Sequence, residues 1–148
     1  MTLVPDELIN QTELPGELYF PEGLPGFEDC RHYKLQPVED MPFYSMICEE
    51  NEAVGFIVTS PWFWIQGFEV ELPDDVCEKI GITSPEEAEV LAIVTVRDPL
   101  DASTMNLAAP VAVSLKRRQA AQVVLTSPEW STRVPLKGEG VAASVGLG

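Results

Sequence analysis

Proline and glycine interrupt this chain so often that few segments are long enough for a regular helix. The 148 residues include 13 prolines and 10 glycines. Proline fixes φ and lacks an amide hydrogen, and glycine favours turns, so this spacing favours short strands joined by turns. We therefore predict an all-β, mainly antiparallel fold: a small β-barrel-like domain with one or two short helices.

The segments between these turns are short and rich in β-branched and aromatic residues, as expected of strands. The clearest pair is a hairpin over 43–49 and 53–59, with Glu50-Asn51-Glu52 as its polar tip. A long loop is predicted over 98–110. Further extended segments are predicted over 17–20, 31–36, 62–71, 90–96, 111–115, 119–126 and 130–136.

One segment, 72–81, carries the signals of a short helix. Asp74 and Asp75 suit the positive N-terminal end of a helix, and Gly81 suits its C-terminal cap. Farther along, Ser84-Pro85-Glu86-Glu87 has the layout of a capping box but precedes β-branched residues. It predicts one helical turn that leads into a buried strand.

The length of the chain fits one domain. Apolar residues make up 45% of it, enough to bury a hydrophobic core. No repeat or linker divides 17–137, which we predict to be a single β-barrel-like domain. Residues 1–16 are predicted to be a loosely held N-terminal arm, and 138–148, rich in glycine and alanine, a flexible C-terminal tail.

The charge of the chain is strongly one-sided, with 24 acidic against 9 basic residues and a formal net charge of −15. Such a surface repels nucleic acids and anionic membranes, so direct binding to either is not expected. Two interpretations stay open: the charge serves solubility, or it attracts a partner with a basic surface. Self-repulsion and short edge strands favour a monomer.

The N-terminal residues and the cysteines indicate a cytoplasmic protein. Residues 1–11 carry Asp6 and Glu7 where a secretory signal would have a positive and then an apolar stretch, and no apolar run could span a membrane. Cys30, Cys48 and Cys77 are odd in number and widely spaced. That pattern is typical of reduced thiols and not of a disulfide framework.

Catalytic or metal chemistry is not indicated. His32 is the only histidine, and we interpret it as structural. The three cysteines lack the paired spacing of zinc ligands, and neither a nucleophile elbow nor a phosphate-binding glycine loop is present. We expect no enzyme activity and no cofactor.

Acidic residues are concentrated between Glu69 and Glu78. Glu69 and Glu71 would point to the same side of an extended strand, and Asp74 and Asp75 follow at the start of the predicted helix. These four carboxylates are either a solvated face or a docking patch for a basic partner.

An unusual aromatic segment precedes them. On a strand, Trp62, Trp64 and Phe68 would share one face with Gln66, and Phe63 and Ile65 would share the other. One set must belong to the core. The three rings on the first face either are core residues or line a groove for a partner.

Two single residues have simpler interpretations. Phe27, which follows Pro25-Gly26, either pins that turn to the barrel or contacts a partner. Asn106 lies in the long loop that ends at Pro110, where an asparagine side chain commonly bonds its own backbone and acts as a clamp.

Five blocks of the sequence carry a family resemblance, at 20–28, 93–96, 104–110, 122–125 and 133–136. Their signature positions are Gly23, Pro25, Gly26, Phe27, Glu28, Thr104, Asn106, Leu107, Pro110 and Gln122. Taken together and in order, these blocks resemble the flagellar assembly factor FliW family. The resemblance covers roughly 18–137, and no block is specific alone. Met105 and the pair Ser114-Leu115 depart mildly from the family pattern, and the basic turn 116–118 and the arm lie outside it.

The resemblance implies a small β-barrel-like protein that binds flagellin and, when free of it, the RNA-binding translational repressor CsrA. Flagellin synthesis would thereby be coupled to flagellin secretion, through antagonism of CsrA away from its RNA-contacting residues. Glu69, Glu71, Asp74 and Asp75 are then candidates for CsrA capture, and Trp62, Trp64 and Phe68 for a flagellin groove. The alternatives are a small barrel enzyme or ligand-binding protein, or a flagellin chaperone with no role in translation.

Overall fold

The computed structural model describes residues 2–3, 14–65, 67–125 and 130–136. Within these ranges the chain forms eleven short strands and one α-helix, α1 (Asp74–Ile80). Short 3-10 turns cover Pro61–Phe63, Pro85–Glu87 and Leu100–Ala102. The strands are β1 (Thr2–Leu3), β2 (Glu17–Tyr19), β3 (His32–Pro37), β4 (Tyr44–Cys48), β5 (Gly55–Thr59), β6 (Val70–Glu71), β7 (Ala88–Thr95), β8 (Thr104–Met105), β9 (Val111–Ser114), β10 (Gln119–Gln122) and β11 (Val134–Pro135).

Seven strands close into a barrel. Their order is β7-β5-β4-β3-β2-β10-β9, and a second pairing of β9 with the first half of β7 closes the ring. All of these pairings are antiparallel except the short one between β10 and β2. The second half of β7 pairs with β8, which in turn pairs with β11. The predicted fold class is confirmed.

Alternation along β7 separates two hydrophobic cores. Leu91 packs with apolar residues from all seven barrel strands, which places it in the barrel interior. Val90 and Ala92 point the other way and pack beneath α1 and the aromatic segment. Because successive side chains on a strand alternate, one strand supplies both cores, and nearly all of β7 is buried.

The helix signals are confirmed. Helix α1 carries Asp74 and Asp75 in its first turn, and Gly81 takes the left-handed conformation at φ 83° as its C-terminal cap. The Gly81 amide donates to the Cys77 carbonyl at 2.8 Å. The predicted helical turn before a buried strand is the 3-10 turn Pro85–Glu87, which leads directly into β7.

The extended chain predicted over 62–71 is wrong for most of its length. Pro61 starts a 3-10 turn instead, with the Phe63 amide bonded to the Ser60 carbonyl at 3.1 Å. Within the described part of this segment, only Val70–Glu71 forms a strand. The loop predicted over 98–110 contains the 3-10 turn Leu100–Ala102 and strand β8, and the strands predicted over 119–126 and 130–136 shorten to β10 and β11.

The described residues at the start of the predicted N-terminal arm pair with β6. Thr2 pairs with Glu71 and Leu3 with Val70 in an antiparallel ladder. Leu3 is 1% exposed and belongs to the core beneath α1. Residues 2–3 of the predicted arm are thus paired and packed, whereas 4–13 and the predicted tail, 138–148, lie outside the described residues.

Glu89 of β7 is a buried carboxylate among the apolar residues of the barrel. It lies on the same side of β7 as Leu91, opposite Val113 of β9, and is 7% exposed. The neighbouring Val90 amide donates to its Oε1 at 3.1 Å. Desolvation by burial raises the pKa of Glu89 to about 7.

The stability of the barrel should therefore depend on the ionisation of Glu89. Its folded pKa lies above the ordinary 4.5, so the folded state holds a proton that the unfolded chain releases. The stabilising contribution is complete below pH 4.5 and is lost as the pH rises through about 7. The loss amounts to ~3 kcal/mol at most.

We expect Glu89→Gln to remove this dependence. Between pH 5 and pH 8 the wild-type free energy of unfolding, measured by urea titration, should fall by up to ~3 kcal/mol more than that of the variant. The exposed neighbour Glu86 supplies the control, since Glu86→Gln should follow the wild type. Equal falls in wild type and Glu89→Gln would contradict the prediction.

Candidate functional site

The first signature block forms a tight double turn after β2. A short bridge joins Leu24 to Phe27, whose amide donates to the Leu24 carbonyl at 2.7 Å. The Gly26 amide donates to Glu28 Oε2 at 3.1 Å. Leu24 is buried in the barrel core, and the half-exposed Phe27 ring packs edge-on against Phe56 at 5.5 Å between centroids. Phe27 does pin the turn to the barrel.

Gly23 is required by the geometry of this turn. Its φ is 68°, and a Cβ atom there would lie 2.7 Å from the Glu28 Cα atom. Gly26 also has a positive φ, 86°, but a Cβ atom at that position would have no other atom within 4 Å. The close approach of the backbone at Gly23 to that at Glu28 therefore excludes a side chain at position 23 more strongly than at position 26.

The signature block at 104–110 lies beside β10. Asn106 Oδ1 accepts hydrogen bonds from the Ala108 and Ala109 amides at 3.0 and 3.1 Å, so the predicted clamp is confirmed. Gln122 Nε2 donates to the Ala109 carbonyl at 3.0 Å. The other signature positions here are structural: Thr104 lies in β8, and Leu107 and Pro110 are buried.

A cleft of about 210 Å³ separates the double turn from β10. Lys79 Nζ, from the last turn of α1, pairs with Glu22 Oε2 across its rim at 2.6 Å. The cleft thus joins signature blocks that are far apart in sequence. Its lining includes Pro21, Gly23, Pro25 and Glu28 from the turn and Ala120, Ala121 and Gln122 from β10.

The four predicted docking carboxylates form a continuous exposed strip at the other end of α1. Glu69 and Glu71 are exposed on either side of the buried Val70, as the alternation predicts. Asp74 and Asp75 are exposed in the first turn of α1. The Thr2 hydroxyl donates to Glu71 Oε1 and holds the pKa of that carboxyl below its usual value. We call Glu69, Glu71, Asp74 and Asp75 the acidic strip.

The aromatic segment is packed inward, so no groove is formed by Trp62, Trp64 and Phe68. Their exposed fractions are 8%, 7% and 0%. Trp62 Nε1 donates to the Phe68 carbonyl at 2.7 Å, and Trp64 Nε1 to Thr59 Oγ1 at 2.9 Å. The predicted division of faces is wrong because of the 3-10 turn: Ile65 is buried with the other three, and Phe63 alone is exposed, by 56%. Gln66 lies outside the described residues.

Comparison with known proteins agrees with this arrangement. A family model described as FliW protein matches residues 7–136. The chain belongs to the FliW family. It is 35% identical over 123 residues to the flagellar assembly factor FliW of Geobacillus kaustophilus (strain HTA426), covering 83% of this chain and 85% of that one. It is 34% identical over 123 residues to the protein of that name from Bacillus subtilis (strain 168), with coverages of 82% and 86%.

Structural comparison gives the same result. The crystal structure of a flagellar assembly factor FliW matches with a TM-score of 0.78 at 29% sequence identity, covering 86% of this chain and 89% of that one. The resemblance drawn from the signature blocks is therefore confirmed at the level of the FliW family and its fold.

Sequence reasoning missed part of the cleft. Glu22 and Lys79 are 57 residues apart, and no local pattern indicates that they pair. Ala120 and Ala121 carry no functional group that would mark them as lining residues. Only the signature glycines and prolines, as unusual backbone positions, pointed to this region.

A polar cluster around His32 has the residue types of a catalytic site, but its thiol is weakly acidic. Glu50 Oε2 lies 2.5 Å from His32 Nδ1, a hydrogen bond that lowers the pKa of Glu50 to about 2. Cys48 donates to the same carboxylate at 3.4 Å, yet burial raises the pKa of this thiol to about 11. A thiol this weakly acidic supplies little nucleophilic thiolate at neutral pH.

The described residues contain neither a metal-binding cluster nor a membrane-spanning helix. Among the described residues no group of three or more His, Cys, Asp or Glu side chains is arranged to hold a metal ion. No helix in the described ranges is long and apolar enough to cross a membrane.

The two turn glycines provide a matched test of this geometry. Gly26→Ala should lower the free energy of unfolding by ~1 kcal/mol, because alanine tolerates a positive φ poorly. Gly23→Ala should lose a further ~1–3 kcal/mol, because its methyl group meets the backbone at Glu28. Urea unfolding of both variants measures the difference, and equal losses would contradict the close approach.

Proposed function

We propose that this chain is a cytoplasmic, monomeric flagellar assembly factor that binds flagellin and, when free of flagellin, binds and allosterically antagonises CsrA. Flagellin synthesis would thereby follow flagellin secretion. The proposal assigns no enzyme activity, no cofactor and no direct contact with nucleic acid to the chain. Its support is membership of the FliW family together with one structural feature, the acidic strip.

The acidic strip supports a partner with a basic surface. Its four carboxylates are exposed, and the chain as a whole carries a formal net charge of −15. RNA-binding proteins present cations to phosphate groups. A strongly anionic protein that docks beside such a surface steers its own approach and weakens phosphate binding there through its field, without covering the RNA-contacting residues.

Reversal of the strip tests this part of the proposal. The variant Glu69→Lys, Glu71→Lys, Asp74→Lys, Asp75→Lys should bind purified CsrA about tenfold more weakly at low salt, if each lost ion pair is worth ~0.3–0.5 kcal/mol. Its affinity should also depend less on salt, since fewer charge pairs are screened. Isothermal titration calorimetry at several salt concentrations measures both quantities.

A charge-matched control separates the strip from net charge. Glu39, Glu49, Glu52 and Asp101 are exposed and lie outside the strip, so their reversal to lysine changes the total charge equally. The control should lose much less affinity. Equal losses in both variants, or none in the strip variant, would remove the strip from the interaction.

Competition decides between the proposal and its closest alternative. Flagellin bound beforehand should abolish the calorimetric signal with CsrA. Flagellin binding without any CsrA binding would instead favour a flagellin chaperone with no role in translation.

Trp64 and Phe63 of the aromatic segment should differ in their effect on folding stability. Trp64 is buried and stacks on Phe43 at 5.8 Å between centroids, so Trp64→Ala should cost ~3–5 kcal/mol of folding stability. The Phe63 ring is 56% exposed but packs edge-on against Trp64 at 5.0 Å between centroids, so Phe63→Ala should cost only ~1 kcal/mol. Urea unfolding measures both, and flagellin binding is then assayed with the folded Phe63→Ala protein. A small loss for Trp64→Ala would contradict its core position.

A further inference from the structure

One edge of β10 is largely unpaired in the described chain. On one side β10 pairs with β9 over four residues, Gln119–Gln122. The ladder continues beyond the strand, because the Val123 and Leu125 amides donate to the Pro110 and Ala108 carbonyls at 2.8 and 3.0 Å. On the other side β10 meets β2 at a single position, Gln119 opposite Tyr19.

The pairing with β2 stops for a chemical reason. The Phe20 amide, which follows β2, donates to the Arg31 carbonyl at 2.7 Å and so faces β3. The next residue, Pro21, has no amide hydrogen and begins the double turn. A continued ladder along β10 is therefore impossible for this part of the chain, and the cleft opens between the two segments.

The register shows which backbone groups face the open side. The amides of Val123 and Leu125 point toward the β9 side, where they donate to the Pro110 and Ala108 carbonyls. Because the groups of a strand alternate in direction, the amides and carbonyls of Gln122 and Val124 point to the opposite side. The described residues place no strand there. Val124 is also the most exposed large apolar side chain described, at 70%.

The wall opposite this edge is anionic. Glu22 and Glu28 are exposed, and the Lys79 ammonium group is already paired with Glu22. Glu28 accepts a hydrogen bond from the Gly26 amide, but no described cation forms an ion pair with it. The volume of about 210 Å³ is below the ~300–1,000 Å³ of most small-molecule pockets.

We propose that the cleft binds an extended, basic peptide segment of a partner protein. The segment adds as a short strand to β10 and its continuation, Gln122–Val124, along the edge that the described residues leave unpaired. Backbone hydrogen bonds to Gln122 and Val124 would hold the segment. Val124 would contact an apolar side chain of the segment, and Glu28 would attract a lysine or arginine beside it. This site lies at the C-terminal end of α1, away from the acidic strip, and does not depend on the identity of the partners proposed above.

Nuclear magnetic resonance with defined peptides tests the proposal on the full chain. The probe is the pentapeptide Lys-Val-Lys-Val-Lys, blocked at both ends and titrated into ¹⁵N-labelled protein. We expect saturable shifts of the Gln122 and Val124 amides and of residues 22–28. The same peptide with two alternate amides N-methylated should bind at least tenfold more weakly, because it cannot complete the ladder.

Two charge variants complete the design. Glu28→Gln keeps an oxygen that can accept from the Gly26 amide but removes the charge, and should weaken the basic probe about two- to fivefold. Glu52→Gln, at the tip of the hairpin, should have no effect. The acidic peptide Glu-Val-Glu-Val-Glu should cause no shifts at the cleft.

Three outcomes would overturn the proposal. Shifts confined to the acidic strip would show that the basic probe binds there by charge alone. Equal binding of the N-methylated peptide would exclude strand addition. No shifts at Gln122 and Val124 at millimolar probe would show that the edge does not accept a peptide. None of these outcomes bears on the calorimetry with CsrA or flagellin, so the two proposals fail separately.

Discussion

The rest of the structure depends on β7. Its first half pairs with β9 and closes the barrel, and its second half pairs with β8. Its side chains reach both cores, with Leu91 inside the barrel and Val90 and Ala92 outside it. A change in register of one residue would exchange the two sets. Pairing with β5, β8 and β9 fixes the register of β7. This fixed register keeps Glu89, near the start of the strand, buried despite its carboxylate.

Pro21 determines where the pairing of β2 with β10 ends and the cleft begins. Pro21 ends the contact of β2 with β10 because it offers no amide to continue the ladder. The double turn then returns over the barrel, with Leu24 as its buried anchor and Gly23 allowing its close approach to Glu28. The edge of β10 that the described residues leave unpaired is a consequence of this turn, so the first signature block shapes the cleft.

Local signals in the sequence were sufficient for much of the fold. The limits of α1 follow from Asp74, Asp75 and Gly81, whose effects act within one turn of helix. The aromatic segment could not be predicted in the same way. Alternation suggested a strand, but Pro61 starts a 3-10 turn, and the burial of Trp64 depends on its distant neighbour Phe43. The ion pair between Glu22 and Lys79 could not be predicted from the sequence either, because only the tertiary fold brings the two residues together.

Helix α1 links the surface features that concern function. The acidic strip continues from β6 into the first turn of α1, and β1 secures it through the Thr2–Glu71 contact. Lys79 in the last turn reaches the cleft. A seven-residue helix is only about 10 Å long, so one partner with a basic surface is large enough to cover both ends. Charge on the strip would then govern the rate and orientation of encounter, whereas backbone bonds along β10 would select an extended segment.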